Sequence, residues 1–292
     1  MPWPFEREYM QLALVAGLVV GACAPLIGAY LVQKRMSLIG DGIGHLAFAG
    51  VAGGLLLEIA PVWTALGVAV IGALAIERLR ARGTASGDLA LALFFYGGIA
   101  AGIVLLGLGD GLNTNVFRYL FGQIITVSRG DVVVVLVLGA VIVGTVALLG
   151  RGLLATVVDE EWARVAGIPV DLLNAVLAVL TALTVVVAMQ VVGILLVAGL
   201  LVLPVASGQI LGRSFRGVVA WAVGLGIGSV VVGLVAARQL ALVAGGTIVL
   251  IAAFAFAVIA GVVRVTRGRM PRIVHEVSGH RGTHDGHGEG GH

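Results

Sequence analysis

The run "LLNAVLAVLTALTVVVAMQVVGILLVAGLLVLPVASGQILG", residues 172–212, contains no charged residue. At about 1.5 Å per residue, these roughly 40 residues form a helix about 60 Å long, twice the thickness of a bilayer's hydrocarbon core. The run must therefore cross a membrane twice, and we place the break between its two helices near Gln190–Gly193. It predicts a polytopic helical membrane protein.

The rest of the chain has the same character. It is 60% hydrophobic and 11% charged, with a mean hydropathy of +1.12, and no soluble protein of 292 residues has so apolar a composition. The 45 glycines suit close helix packing in lipid. We predict an all-α protein with eight or nine transmembrane helices. The other apolar runs are Tyr9–Gln33, Ser37–Leu57 (interrupted by Asp41 and His45), Ile59–Ile76, Leu89–Gly109, Val132–Gly150, Gly217–Ala237 and Gln239–Val263.

The basic residues predict the orientation. If the charged segments alternate between the two sides, all but four of the 18 lysines and arginines fall on one side. The positive-inside rule makes that side cytoplasmic and the N-terminus external. The scattered loop charges do not indicate nucleic-acid binding. The four exceptions are Arg7, Arg118, Arg129 and Arg238.

A polar tail follows the membrane part. We divide the chain into a transmembrane domain, residues 1–272, and a disordered His-rich tail, residues 273–292, on the cytoplasmic side. Imidazoles bind Zn²⁺ more readily than Mn²⁺, so the tail is a possible zinc-binding segment. The alternative is a merely solubilising tail. Its histidines are His275, His280, His284, His287 and His292.

The second apolar run contains an acid and an imidazole. Asp41 and His45 are four residues apart, so a helix places them on one face, and His45 is the one histidine outside the tail. Ionisable groups inside a membrane usually serve a transport path, and carboxylate with imidazole suits Zn²⁺ or Mn²⁺. Two ligands leave a zinc site incomplete, which a second subunit across a two-fold axis would complete. The alternative to a metal site is a structural role, in which Asp41 caps the start of the helix and His45 forms a hydrogen bond with a neighbouring helix.

Other intramembrane acids are less informative. Glu58 and Asp110 fall at predicted external ends of helices, where water solvates a carboxylate and its charge costs little free energy. Asp88 opens the predicted fourth helix, where it complements the helix dipole.

Two cytoplasmic segments are candidate docking surfaces. "VVDEEWARVAGIPVDLLN", residues 157–174, is either a solvated connector or a short helix that meets a partner. In "LPVASGQILGRSFRG", residues 203–217, Pro204 is expected to end a helix before small residues and a basic stop.

The chain contains no phosphate-binding loop. Its one lysine, Lys34, follows Gln33 and no GxxxxGK[ST] pattern exists. The protein is thus not expected to be an ATPase, and any ATP it uses is hydrolysed on a separate chain. The sequence also lacks HExxH, and a serine protease would need His45 as its base, so an intramembrane enzyme is disfavoured.

Four stretches together resemble the integral-membrane permeases of zinc/manganese/iron-type ABC importers. They occur in the family's order, and the resemblance extends over roughly residues 8–263. Gly44 departs from the family's frequent Ser before the His. The stretches are "RMSLIGDGIGH…GVAGG" (35–54), "YLFGQIITVSRGD" (119–131), "DEEWARVAGIPVDLLN" (159–174) and "ALTVVVAMQVVGILLVAGLLVLPVASG" (182–208).

The resemblance implies a type II importer-like permease dimer, expected to be a homodimer, with two cytoplasmic ATPase subunits and an extracytoplasmic metal-binding protein, in contact with membrane lipid. It implies alternating access in a bacterial plasma (inner) membrane, with Asp41 and His45 lining the path. No cofactor is expected, because Zn²⁺ or Mn²⁺ is the substrate. The ATPase-coupling region maps to residues 206–216, assisted by residues 159–169. Its candidate residues are Pro204, Ala206, Ser207, Gly208, Gln209, Arg213, Glu160 and Glu161.

Two transport alternatives stay open. A siderophore or cobalamin permease would have no use for a carboxylate–imidazole pair. A proton-coupled secondary metal transporter would use Asp41 and His45 as its proton relay.

Overall fold

A computed structural model describes residues 8–82, 87–109, 114–122 and 128–268. Within these ranges every regular element is helical, which confirms the all-α prediction. The elements are α1 (Glu8–Gln33), α2 (Ile39–Leu56), α3 (Pro61–Ala81), α4 (Gly87–Leu108), α5 (Thr114–Phe121), α6 (Arg129–Val158), α7 (Glu160–Val165), α8 (Val170–Met189), a 3-10 turn (Ile194–Leu196), α9 (Val197–Leu211), α10 (Phe215–Leu240) and α11 (Ala244–Gly268).

Nine helical segments of the described chain are long and apolar enough to cross a membrane. This number agrees with the eight or nine transmembrane helices predicted from the apolar runs. The two short helices, α5 and α7, lie between spans. Two local signals fix the ends of α6: Ser128 and Asp131 form a reciprocal capping box at its start, and the Asp159 side chain accepts from the Trp162 N–H to begin α7 directly after it. The segment around residue 160 is thus a short helix, not an irregular connector.

The long apolar run breaks at the predicted place. α8 ends at Met189, Gly193 adopts φ +88°, and α9 starts at Val197 after one 3-10 turn. A positive φ there favours glycine because it has no Cβ. The break also needs the space: a Cβ on Gly193 would lie 2.4 Å from the Phe121 carbonyl carbon.

Three glycines from different parts of the chain meet at this break, and we call them the three-glycine junction: Gly122, Gly193 and Gly245. Gly122 follows α5 with φ +70°, and a Cβ on it would lie 2.3 Å from the Val191 oxygen. A Cβ on Gly245, at the start of α11, would lie 1.9 Å from the Val192 oxygen. Backbone therefore packs directly on backbone, and the junction ties α5 and α11 to the broken helix.

The expectation that Pro204 ends a helix is wrong. Pro204 lies inside α9, which continues to Leu211. Membrane helices tolerate proline because neighbouring helices can satisfy the backbone groups it frees. The helix instead stops at Gly212, where a Cβ would lie 2.6 Å from the Val218 nitrogen.

The core forms where α1 and α8 pack against the other helices. Gly21 on α1 and Gly226 on α10 let their helices touch, since a Cβ on Gly226 would lie 2.4 Å from the Gly21 oxygen. The thiol of Cys23, which is 1% exposed, faces the Gly139 carbonyl oxygen of α6 at 3.9 Å. In lipid no hydrophobic driving force acts between helices, and small residues stabilise the bundle because they let the helices pack closely.

We expect Gly28→Ala to destabilise the protein by about 1–3 kcal/mol, because overpacking against backbone cannot be relieved by a rotamer change. A Cβ on Gly28 would lie 1.9 Å from the Leu201 oxygen. The matched control is Gly144→Ala on α6, where nothing lies within 4 Å. Thermal unfolding in detergent measures both. Equal melting temperatures for the two variants would contradict the packing described here.

Candidate functional site

Asp41 and His45 lie one turn apart on α2. Asp41 is in the first turn, but the N-cap is Leu38 and no side chain caps the helix. The hypothesis that Asp41 serves as the helix cap is therefore wrong. Both side chains belong to residues that are half-buried, so the helix presents an acid and an imidazole part of the way into the bundle.

Neither side chain has a hydrogen-bond or salt-bridge partner in the part of the chain that the structure describes. The His45 ring packs edge-on against Phe95 of α4, with ring centroids 4.3 Å apart and planes at 73°. No hydrogen bond or ion pair joins Asp41 or His45 to another described side chain. The alternative of a histidine hydrogen-bonded to a neighbouring helix is thus not realised there, and both groups keep their lone pairs available for a ligand.

The helices around the pair come very close. A Cβ on Gly98 of α4 would lie 2.7 Å from the His45 carbonyl carbon. Gly42 faces Leu91 of α4. A Cβ on Gly44 would lie 3.5 Å from the Ile194 carbonyl oxygen in the helix break. These two glycines therefore admit helices of the same chain. The pair lies between α4 and the break in the long apolar run.

One chain supplies only part of a metal site. Within the described residues, no three His, Cys, Asp or Glu side chains gather closely enough to hold an ion. Zinc prefers about four ligands, so Asp41 and His45 have the chemistry of a half-site.

A donor at the break was not anticipated from the sequence. The Nε2 of Gln190 is buried without a hydrogen-bond partner, and the residue is 9% exposed. Buried polar atoms in proteins are nearly always paired, so an orphaned donor usually marks a bound water or ligand. Its place in the interrupted run was the one available sequence signal.

The remaining acids and histidines are less prominent. Glu58 is exposed just beyond the end of α2, consistent with a boundary position. Asp110 lies outside the described residues, as do the tail histidines His275, His280, His284, His287 and His292.

The expected coupling residues divide into two groups. Pro204, Ser207 and Gly208 are buried within the chain, and the Ser207 hydroxyl donates to the Leu203 oxygen. By contrast, Gln209 and Arg213 are exposed and line a cavity of about 320 Å³ between α1, α6 and the α9–α10 link. Of the set, Ala206 is half-buried and Glu161 is exposed.

Glu160 has partners within its own chain. Its Oε1 lies 2.9 Å from the Lys34 Nζ and 3.1 Å from an Arg80 guanidinium nitrogen, and it accepts from the Asn174 amide at 2.7 Å. Glu77 holds Arg80 from the other side at 2.8 Å. These five residues, the Glu160 network, join the ends of α1 and α3 to α7 and α8. Long-range pairings of this kind have no signature in sequence spacing.

The network fixes the charge on Glu160. Partial burial alone would raise the pKa of its carboxyl, but hydrogen bonds from Lys34, Asn174 and Arg80 lower it to about 2. Burial lowers the pKa of Lys34, while the hydrogen bond with Glu160 opposes that effect. Glu160 is therefore an anion at neutral pH, held among cations at the ends of the helices.

A bundle of membrane-crossing helices that carries an unpaired acid and imidazole defines a polytopic membrane transport protein. The ABC 3 transport family matches residues 6–263, and the chain belongs to that family. The resemblance drawn from the four sequence stretches is confirmed. The chain is the permease subunit of an ABC transporter and not an enzyme, with ATP hydrolysis on a separate chain.

Similar proteins agree with this assignment. The high-affinity zinc uptake system membrane protein ZnuB of Haemophilus influenzae is 28% identical over 249 residues, which covers 85% of this chain and 95% of ZnuB. The manganese transport system membrane protein MntC of Halalkalibacterium halodurans is 32% identical over 250 residues, or 86% of each chain. The structure of PsaBC from Streptococcus pneumoniae in complex with Fab matches with a TM-score of 0.79 at 30% identity, covering 87% of this chain and 91% of the matched chain.

Proposed function

We propose that this chain is the permease of an ATP-driven importer of a divalent metal ion, with Zn²⁺ the preferred substrate and Mn²⁺ the alternative. The observation that carries the proposal is the Asp41–His45 pair, unpartnered and half-buried on one face of α2. Carboxylate and imidazole together suit Zn²⁺, and imidazole favours Zn²⁺ over Mn²⁺ in the affinity order. The names of the relatives, zinc uptake and manganese transport proteins, support the substrate class.

The ion path lies at a two-fold interface in this proposal. Two copies of the half-site would give four ligands, which matches zinc's usual coordination number. The break beside Gly44 supports an ion path past the Asp41–His45 pair, because interrupted membrane helices commonly form ion sites at the level of the bilayer centre. Gln190 contributes an unpaired donor to the break, suited to holding a water on the ion.

The cytoplasmic partner meets the α9–α10 link in this proposal. Gln209 and Arg213 are exposed there, and Glu161 is exposed on α7. The N-terminus is external and the tail cytoplasmic, as the basic residues indicate. ATP binding and hydrolysis on the partner then drive alternating access, with an extracytoplasmic metal-binding protein delivering the ion.

The test is uptake into sealed proteoliposomes that contain the full chain with its partner ATPase and binding protein. We expect zinc accumulation that requires ATP inside the vesicles and is indifferent to an imposed proton gradient. Competition with manganese ranks the two ions. Uptake that follows a proton gradient without ATP would replace this proposal with the secondary transporter, in which Asp41 and His45 relay protons.

The tail has a separate expectation. Deleting residues 273–292 should leave zinc transport intact at saturating zinc and change its regulation by cytoplasmic zinc, because the imidazoles would sense or buffer the arriving ion. Zinc accumulation over time in cells carrying the full-length or truncated chain measures this. Identical accumulation curves at every external zinc concentration would mean that the tail only solubilises.

A further inference from the structure

A large groove lies on the outside of the bundle, away from Asp41 and His45. It has a volume of about 700 Å³ and is formed by α1, α6 and α10. The range for pockets that take drug-sized ligands is about 300–1,000 Å³. Apolar side chains such as Val146 and Val223 line its walls, and Arg151 and Arg216 line it as well. The groove is therefore amphipathic.

The two arginines belong at the membrane–water boundary. Arg151 follows Arg129 on α6 by about 22 residues, and Arg216 precedes Arg238 on α10 by the same interval, which is about 33 Å of helix in each case. That length matches a hydrocarbon core about 30 Å thick. Arg151 and Arg216 thus lie at the same boundary, with the apolar walls extending from them toward the bilayer centre.

The polar groups of the groove lack partners in the described chain. Neither Arg151 nor Arg216 forms an ion pair or hydrogen bond there, and both are exposed. Tyr30 is 5% exposed, lines the groove, and packs its ring edge-on against Phe215 at 5.0 Å. Its hydroxyl forms no hydrogen bond with a described residue. Two guanidinium groups and one tyrosine hydroxyl therefore border the same cavity.

We propose that this groove binds one anionic phospholipid. The headgroup phosphate accepts hydrogen bonds from Arg151 and Arg216, as planar guanidinium groups favour, and from the Tyr30 hydroxyl. An acyl chain lies along Val146 and Val223. Basic pockets between membrane helices recognise anionic headgroups in this manner. A soluble phosphate ion would make no use of the apolar walls, and the site is independent of the proposed metal path.

The experiment is native mass spectrometry of the full-length protein, purified in uncharged detergent and mixed with equal amounts of phosphatidylglycerol and phosphatidylcholine that carry the same acyl chains. We expect preferential retention of one phosphatidylglycerol. Arg151→Gln combined with Arg216→Gln should weaken its apparent affinity roughly 25-fold and abolish the headgroup preference, since each basic residue near a membrane surface contributes about fivefold. Tyr30→Phe should cause a smaller loss.

Two further variants separate a built site from diffuse attraction. Ala220→Trp fills the groove, whose lining includes the exposed Ala220, and keeps every charge, so lipid retention should fall as well. Arg264→Gln removes an exposed arginine on α11, outside the groove, and should change nothing. Size-exclusion profiles and circular dichroism confirm that each variant is folded.

Four results would overturn the proposal. The first is an unchanged preference for phosphatidylglycerol in the double arginine variant, and the second is unchanged lipid retention in Ala220→Trp. The third is complete displacement of the lipid by millimolar inorganic phosphate. The fourth is a dimer peak that rises as lipid is lost. The last would make the groove an interface between copies of this chain.

Discussion

Replacing Asp41 or His45 with alanine should reduce zinc uptake at least about 100-fold. The two side chains are the half-buried ionisable pair on one face of α2, and loss even of groups that only orient metal ligands costs 10–100-fold in affinity or activity. Because neither side chain forms a hydrogen bond or salt bridge with a described residue, folding and membrane insertion should be preserved. Metal uptake by cells that also produce the partner ATPase and binding protein is the measurement, normalised to the permease level in membranes.

The two substitutions should also depend on each other. If Asp41 and His45 bind one ion, the double variant should transport no more slowly than either single variant, because the site is already lost. Glu58→Gln is the matched control, since Glu58 is an exposed acid just beyond the other end of the same helix, and we expect normal uptake. Wild-type rates in both alanine variants at equal expression would exclude the pair from the ion path.

Replacing Glu160 with glutamine should destabilise the end of the bundle where α1 and α3 meet α7 and α8 by about 2–3 kcal/mol. Hydrogen bonds to charged groups contribute about 1.5–3 kcal/mol each, and the substitution leaves Lys34, whose side chain is 7% exposed, without its counter-ion. Because the Glu160 side chain is 36% exposed, the loss should stay below that of a fully buried pair. Thermal unfolding of the purified protein in detergent measures it.

The neighbouring acid supplies the control. Glu161 is exposed on the same short helix, so Glu161→Gln should leave the melting temperature unchanged. Lys34→Met alone should destabilise, and Lys34→Met with Glu160→Gln should cost less than the sum of the two single changes. Strict additivity would show that Lys34 and Glu160 do not interact.

The same network predicts a pH dependence. The pKa of Glu160 is lowered to about 2 from its ordinary value near 4.5, so its contribution is fully present above about pH 4.5 and is lost as the pH falls toward 2. The difference in melting temperature between the wild type and Glu160→Gln should therefore be constant above about pH 5 and shrink between about pH 5 and pH 2. A constant difference across that range would contradict a charged Glu160 as the stabilising form.

The sequence predicted features that depend on length and local spacing. The number of membrane crossings, the break near Gly193 and the shared face of Asp41 and His45 follow from the helix rise, the bilayer thickness and the helical repeat. It misjudged Pro204, because the rule that proline ends helices comes from water, where freed backbone groups are hydrated. In a packed membrane bundle neighbouring helices satisfy those groups.

Contacts between distant residues were beyond sequence reasoning. Glu160 was interpreted only as a docking residue, since nothing in one sequence pairs it with Lys34 or Arg80. Nothing in the sequence shows that Gly42 and Gly44 admit Leu91 and Ile194 of the same chain. A glycine indicates that something comes close, but only the fold shows which element it is.

The buried position of Cys23 has a practical consequence for watching this protein move. It is the chain's one cysteine, and its thiol is enclosed between α1 and α6, so maleimide and nitroxide reagents should react with it slowly. Cysteines introduced in pairs, for example at Trp221 on α10 and Trp63 on α3, both exposed, could then be labelled selectively on the native background. Inter-label distances recorded in the complex with the partner ATPase, with and without nucleotide, would report whether α3 and α10 move relative to each other.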